Sequence, residues 1–153
     1  NGGGTDGEEF TFPADSVTMG EFIYVSMEDV GFEAFFGFLP QYIGGTAVSI
    51  NGDDAIELFY MGEVIDTFGD INMDGTGTDW DHVDGWAYRN DNAGLDGAAF
   101  TITDWTYSGI NNLEGGMTND TCLVPFPIGT YTFDPAIDVE SSTLDAVKAL
   151  YNR

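Results

Sequence analysis

The chain has 153 residues, 42% of them hydrophobic, which is enough for one domain with a core and too little for two. It carries 27 acidic residues against 3 basic ones, a formal net charge of −24, and such a surface repels phosphate groups. Direct nucleic-acid binding is therefore excluded unless cations bridge the contact, and the acidity suits a saline or divalent-cation-rich medium.

Short runs of β-branched and aromatic residues alternate with glycine turns along the sequence. Four of these turns are Asn-Gly or Asp-Gly pairs, at residues 51–52, 74–75, 84–85 and 96–97. This pattern is typical of sandwiches and barrels, so it predicts an all-β fold class. The glycine-rich residues 1–9 are predicted to be a flexible N-terminal segment.

The first predicted strands cover residues 10–13 and 21–26, and the second is expected to be central because both of its faces are apolar. A short helical segment is predicted near residues 27–38, where Ser26 is the expected N-cap and Pro40 the expected stop. We expect it to pack across one end of the sheets.

The clearest hairpin joins residues 55–60 to residues 63–69 through a turn at Met61-Gly62. Later strands are predicted at residues 85–89 and 100–108, with a short one near residues 130–133.

Residues 134–153 are predicted to form a C-terminal extension with a helix. Ser142 is the expected cap, and Leu144, Val147 and Tyr151 fall on one helical face. This helix either docks on the domain or begins a connection to a neighbouring one.

Cys122 is the single cysteine in the sequence, which excludes an intrachain disulfide and a cysteine-based zinc site. We expect it to be a small buried side chain. No apolar run approaches the length of a membrane span. The sequence starts with Asn-Gly-Gly-Gly rather than with a signal peptide, so we expect any export signal to have been cleaved off before residue 1.

Five strings occur in a characteristic order: NGDDAIEL from Asn51, VIDTFGD to Asp70, WDHVDGWAYR to Arg89, DWTYSGIN from Asp104, and VPFPIGTYT to Thr132. Together they resemble the lamin tail domain of bacterial extracellular proteins. The resemblance covers residues 10–133. It implies a secreted or cell-surface protein with an immunoglobulin-like β-sandwich and no catalytic residues of its own.

That family begins with two or three strands ahead of the segment that starts here at Phe10. We therefore expect either a truncated domain or strands supplied by a partner molecule through strand addition.

The sharpest candidate site is the loop that follows the predicted hairpin. Its D-x-N-x-D-G spacing supplies oxygens at alternate positions and a glycine for a sharp turn, as calcium loops do. The expected calcium ligands are Asp70, Asn72, Asp74, Thr76, Thr78 and Asp81. The alternative is a series of Asx-turns in an aspartate-rich segment.

Five further side chains, in or after this loop, carry expectations of their own. Trp80 is the candidate for facing a ligand such as a sugar ring, whereas Trp86 and Trp105 are expected in the core. Arg89 is expected to form a structural ion pair or to stack on an aromatic ring. His82 lies between aspartates without any accompanying catalytic motif, and we interpret it as a surface group.

The sequence predicts a non-catalytic, calcium-binding extracellular module for binding or adhesion. Its expected partners are other extracellular domains, copies of itself or carbohydrate. One alternative is a self-assembling surface or filament subunit completed by strand exchange. Another is an accessory domain of a secreted nuclease or phosphatase.

Overall fold

The computed structural model describes residues 8–134, which form a mostly β domain of short strands. Six strands occur in this part of the chain, together with one α-helix and three 3-10 turns. The strands are β1 (Val25–Ser26), β2 (Tyr42–Ile43), β3 (Ile56–Tyr60), β4 (Glu63–Phe68), β5 (Ala87–Arg89) and β6 (Trp105–Tyr107), and the helix is α1 (Val30–Phe36). The predicted C-terminal helix lies outside the described residues, as do residues 1–7 of the predicted flexible segment.

The strands form three separate two-stranded sheets: β1 with β2 in parallel, and β3 with β4 and β5 with β6 antiparallel. The predicted central strand at residues 21–26 is therefore wrong in both length and position, since only two of its residues are in β1 and β1 lies in a two-stranded sheet that has no central strand. The Gln41 side chain replaces a longer pairing, because its amide accepts from the Tyr24 N–H and donates to the Phe22 carbonyl. The predicted strand at residues 10–13 is also absent, and Phe10 packs its ring against Phe12 instead.

Helix α1 confirms the predicted helical segment but begins and ends at other residues than expected. Asp29 occupies the N-cap position, and the Glu28 carboxylate accepts the Gly31 N–H at 2.7 Å. The helix ends at Phe36, and the left-handed Gly37 that follows, with a φ of 82°, reverses the chain before Pro40 is reached. The predicted Ser26 cap and Pro40 stop are both wrong because nearer residues satisfy the helix ends.

The hairpin of β3 and β4 confirms the prediction closely. Met61 and Gly62 have φ values of 52° and 85°, the left-handed pair that a two-residue hairpin turn requires. The register shifts between Leu58 and Phe59, which pair with Asp66 and Val64, so Ile65 is the extra residue and the bulge lies in β4.

The later predicted strands are shorter than expected. Strand β5 covers the last three residues of 85–89, and 100–108 divides into a 3-10 turn at Ile102–Asp104 and strand β6. Residues 130–133 form no strand. Instead, the Thr132 N–H donates to the Asp91 carboxylate, while the Thr132 carbonyl accepts from Asn92.

The core is a small aromatic cluster centred on Phe68 of β4, which is 6% exposed. Its ring makes edge contacts with the rings of Trp80, Phe100 and Trp105. Cys122 is buried at 8% exposure, as predicted. Across residues 8–134, no helix has the length and apolar character needed to cross a membrane.

Candidate functional site

The NGDD turn before β3 docks onto the acidic loop after β4. The Gly75 N–H donates to the Asp53 carbonyl and the His82 N–H donates to the Gly52 carbonyl, each at 2.9 Å. A Cβ on Gly52, whose φ is 109°, would lie 2.6 Å from the His82 carbonyl oxygen. The close backbone contact therefore requires glycine at this position, and it joins two segments that are separate in sequence.

The carboxylates of the acidic loop accept hydrogen bonds from nearby backbone groups. Asp70 accepts the Asn72 N–H at 2.9 Å, and Asp74 accepts the Thr76 N–H at the same distance. The two oxygens of Asp81 accept the N–H groups of Gly77 and Val83. The bonds that Asp70, Asp74 and Asp81 accept from the N–H group two residues later are the Asx-turns that were the alternative to a metal loop.

Two carboxylates from different segments converge on Thr76. Its hydroxyl donates to Asp53 at 2.8 Å, and its backbone N–H donates to Asp74. Hydrogen bonds from Thr76 lower the pKa of Asp74, so this carboxyl stays ionised to lower pH than usual. Asp53 was not among the predicted ligands. The signal for it was its place beside a turn glycine in the NGDD string.

The remaining predicted ligands lie apart from this pair. The Thr78 hydroxyl donates to the Gly75 carbonyl at 2.7 Å, and the Asn72 side-chain amide donates a long hydrogen bond to the Asp70 carboxylate. Over residues 8–134 there is no group of three or more Asp, Glu, His or Cys side chains arranged to hold a metal ion.

Trp80 and His82 both lie in the core. Trp80 is 5% exposed, packs edge-on against Phe68, and lies beneath Gly75, so its side chain does not face a ligand as predicted. His82 is 8% exposed and its Nδ1 bonds to the Trp80 carbonyl at 3.0 Å. The interpretation of His82 as a surface group is therefore wrong, because the loop folds back and carries the ring inward.

Arg89 makes both of the contacts that the sequence predicted. Its guanidinium pairs with the Asp66 carboxylate, with one N–O distance of 2.6 Å, and lies 4.4 Å from the centre of the Trp105 ring. It also donates to the Gly94 carbonyl. The paired side chains are 13% and 16% exposed. Arg89 is the single basic residue within residues 8–134, and its positive charge is already paired with the Asp66 carboxylate.

An apolar cleft of about 360 Å³ separates the β3–β4 hairpin from the β5–β6 hairpin. Ile56 and Leu58 of β3 form one wall, and Trp86 and Trp105 lie among the residues of the other side. Both tryptophans are half-buried, so the prediction that they belong to the core is confirmed in part. A second cavity of about 300 Å³ adjoins the cleft through His82 and is lined by more polar groups.

The hydroxyl of Tyr107 is shielded from solvent and has no hydrogen-bond partner among the described residues. Burial raises its pKa to about 12, so the folded state disfavours the ionised form. The stability that depends on the neutral side chain is complete below pH 10, the usual pKa, and is lost as pH rises towards 12.

We therefore expect the Tyr107→Phe variant to be at least as stable as the wild type at pH 8, since it removes an unpaired buried hydroxyl. It should also lose less stability between pH 10 and 12. Melting temperatures measured across this range test the expectation, with Tyr60→Phe, whose ring is 62% exposed, as the matched control. Equal alkaline losses in both variants would contradict it.

No protein-family model, curated protein or solved structure matches this chain.

Proposed function

We propose that the chain is a non-catalytic binding module of an extracellular or cell-surface protein, stabilised by calcium at the acidic loop. The observation that carries the proposal is the convergence of Asp53 and Asp74 on Thr76. An immunoglobulin-like sandwich of the lamin tail type is the arrangement we propose for its hairpins.

The uncompensated negative charge of the acidic loop and its neighbours supports the binding of a metal ion. Eight aspartates fall between Asp66 and Asp96, and the one arginine in that stretch is committed to Asp66. Carboxylates at this density repel one another, and a divalent cation relieves the repulsion more effectively than screening by monovalent salt.

Calcium accepts six to eight oxygen ligands, including carbonyls, hydroxyls and water as well as carboxylates. Asp53 and Asp74 would hold the ion first, with Thr76 between them. Asp70 and Asp81 belong to the predicted set but do not lie together with this pair in a metal-holding group, so they would bind the ion only if the loop moved. The donor chemistry therefore fits calcium, with fewer charged ligands than the sequence spacing predicted.

The proposal of a non-catalytic role draws support from the surroundings of His82. Its Nδ1 is occupied by a backbone carbonyl, and its ring packs 5.4 Å from that of Phe68. Both oxygens of the neighbouring Asp81 are engaged by backbone N–H groups. An acid–base pair of these two residues would require the loop to rearrange.

Calcium at 10 mM is expected to raise the free energy of unfolding by about 1.5–3 kcal/mol, given the weak affinities of extracellular calcium modules. Thermal melts with calcium, with EDTA, and with sodium chloride at equal ionic strength measure this effect and separate it from screening. A calcium melt identical to the sodium chloride melt would remove the metal from the proposal.

The Asp74→Asn variant should lose most of the calcium-dependent increase in melting temperature. Asp79→Asn is the matched control, because Asp79 is an exposed aspartate in the same loop and the change in charge is identical. Equal losses in the two variants would point to general charge relief rather than to a site.

A further inference from the structure

The outer edge of β3 has no strand beside it in the described part of the chain. Strand β3 pairs with β4 on its inner side, and no other backbone hydrogen bond within residues 8–134 involves Ile56–Tyr60. The outer edge of β4 differs, since the Ile65 carbonyl accepts the Gly97 N–H at 3.1 Å. An unpaired edge presents donors and acceptors that another extended segment can satisfy.

The same strand exposes apolar side chains into the cleft. Ile56 is 44% exposed and Leu58 is 39% exposed, and both line the 360 Å³ space with Phe68, Trp86 and Phe126. Side chains alternate along a strand, so a segment added beside β3 would send every second side chain into this space. Edge and cleft thus offer one continuous surface for an extended peptide.

The acidic side chains around the cleft favour a peptide that carries positive charge. Asp84 and Glu114 line the polar cavity that continues from it. Arg89 is the single basic residue of the described chain, and it is held by Asp66. An acidic segment would meet uncompensated carboxylates, whereas lysines or arginines at its ends would pair with them.

We propose that the chain binds an extended segment of another polypeptide as an added strand on β3, with alternate apolar side chains in the cleft and basic residues at the segment's ends. The inference names a partner for the binding role proposed above and does not depend on calcium. A second copy of this chain is a poorer occupant, because each copy carries a net charge of −24 and the copies repel.

Peptide binding by the full chain in EDTA tests the proposal. The probe is the capped peptide Lys-Val-Thr-Ile-Thr-Val-Lys, followed by tryptophan fluorescence, since Trp86 and Trp105 line the cleft. We expect saturable binding at low salt that is at least tenfold tighter than for the same peptide with glutamate at both ends. N-methylation of alternate peptide nitrogens should abolish it, because strand addition uses those N–H groups.

The Leu58→Ser variant should weaken binding of the lysine peptide at least fivefold. Leu95→Ser is the matched control, since Leu95 is 63% exposed and does not line the cleft. Unchanged melting temperatures would show that both variants remain folded.

The inference would be overturned by no binding of the lysine peptide, by equal binding of the glutamate peptide, or by equal loss in the two variants. Self-association that Leu58→Ser abolishes would instead assign the edge to a second copy. Preferential binding of a peptide with the sequence of residues 142–153 would assign the edge to that segment of the same chain. Peptide binding without a calcium effect on melting would leave this inference standing and remove the metal proposal alone.

Discussion

Replacing Arg89 with methionine is expected to lower the free energy of unfolding by about 3 kcal/mol. The substitution removes the partner of the Asp66 carboxylate, which is 16% exposed, and leaves that charge unpaired in a strongly acidic protein. It also removes the guanidinium from the Trp105 ring. Urea denaturation followed by fluorescence measures the loss.

A second substitution separates the unpaired charge from the lost packing. The Arg89→Met, Asp66→Asn double variant should recover a large part of the stability, because a neutral amide then replaces the unpaired carboxylate. Arg89→Lys should fall between wild type and Arg89→Met, since an ammonium keeps the charge but not the planar stack on Trp105. A double variant no more stable than Arg89→Met would show that packing, rather than charge, accounts for the effect.

Truncating Phe68 to alanine should destabilise the domain by about 3–5 kcal/mol. The ring is 6% exposed and lies at the centre of the core, in edge contact with Trp80, Phe100 and Trp105. Its loss also enlarges the adjoining cleft. Since small domains have total stabilities of about 5–15 kcal/mol, the variant should show a far lower urea midpoint or be unfolded.

The matched control is Phe133→Ala, which makes the same change at a ring that is 43% exposed. It should cost less than about 1 kcal/mol. Phe68→Leu should cost less than Phe68→Ala, because it keeps much of the buried volume. Similar losses in Phe68→Ala and Phe133→Ala would mean that the aromatic cluster does not carry the core.

The residues expected to stabilise the domain differ from those proposed to bind a partner. The stabilising contacts concentrate around Phe68 and Arg89, while Ile56 and Leu58 on the adjoining wall remain exposed. Exposed apolar side chains that form one contiguous surface are typical of binding sites. We therefore expect substitutions of the exposed wall to alter peptide binding without the loss of stability expected for Phe68 or Arg89.

Local features of this protein were determined by the sequence itself. The Met61-Gly62 pair predicts the β3–β4 hairpin because a two-residue turn needs left-handed backbone, which glycine readily adopts. Arg89 was predicted to pair or stack because a lone cation among acids has few other stable environments. In each case the decisive chemistry lies within a few residues or follows from overall composition.

Only the tertiary structure determined which side chains are buried in the core and which carboxylates lie close to one another. Trp80 and His82 became core residues because the acidic loop folds back over the sheet and docks on the NGDD turn. Asp53 meets Asp74 at Thr76 for the same reason. Contacts between segments so far apart depend on how the backbone closes, and a spacing pattern within one loop carries no information about a ligand from another.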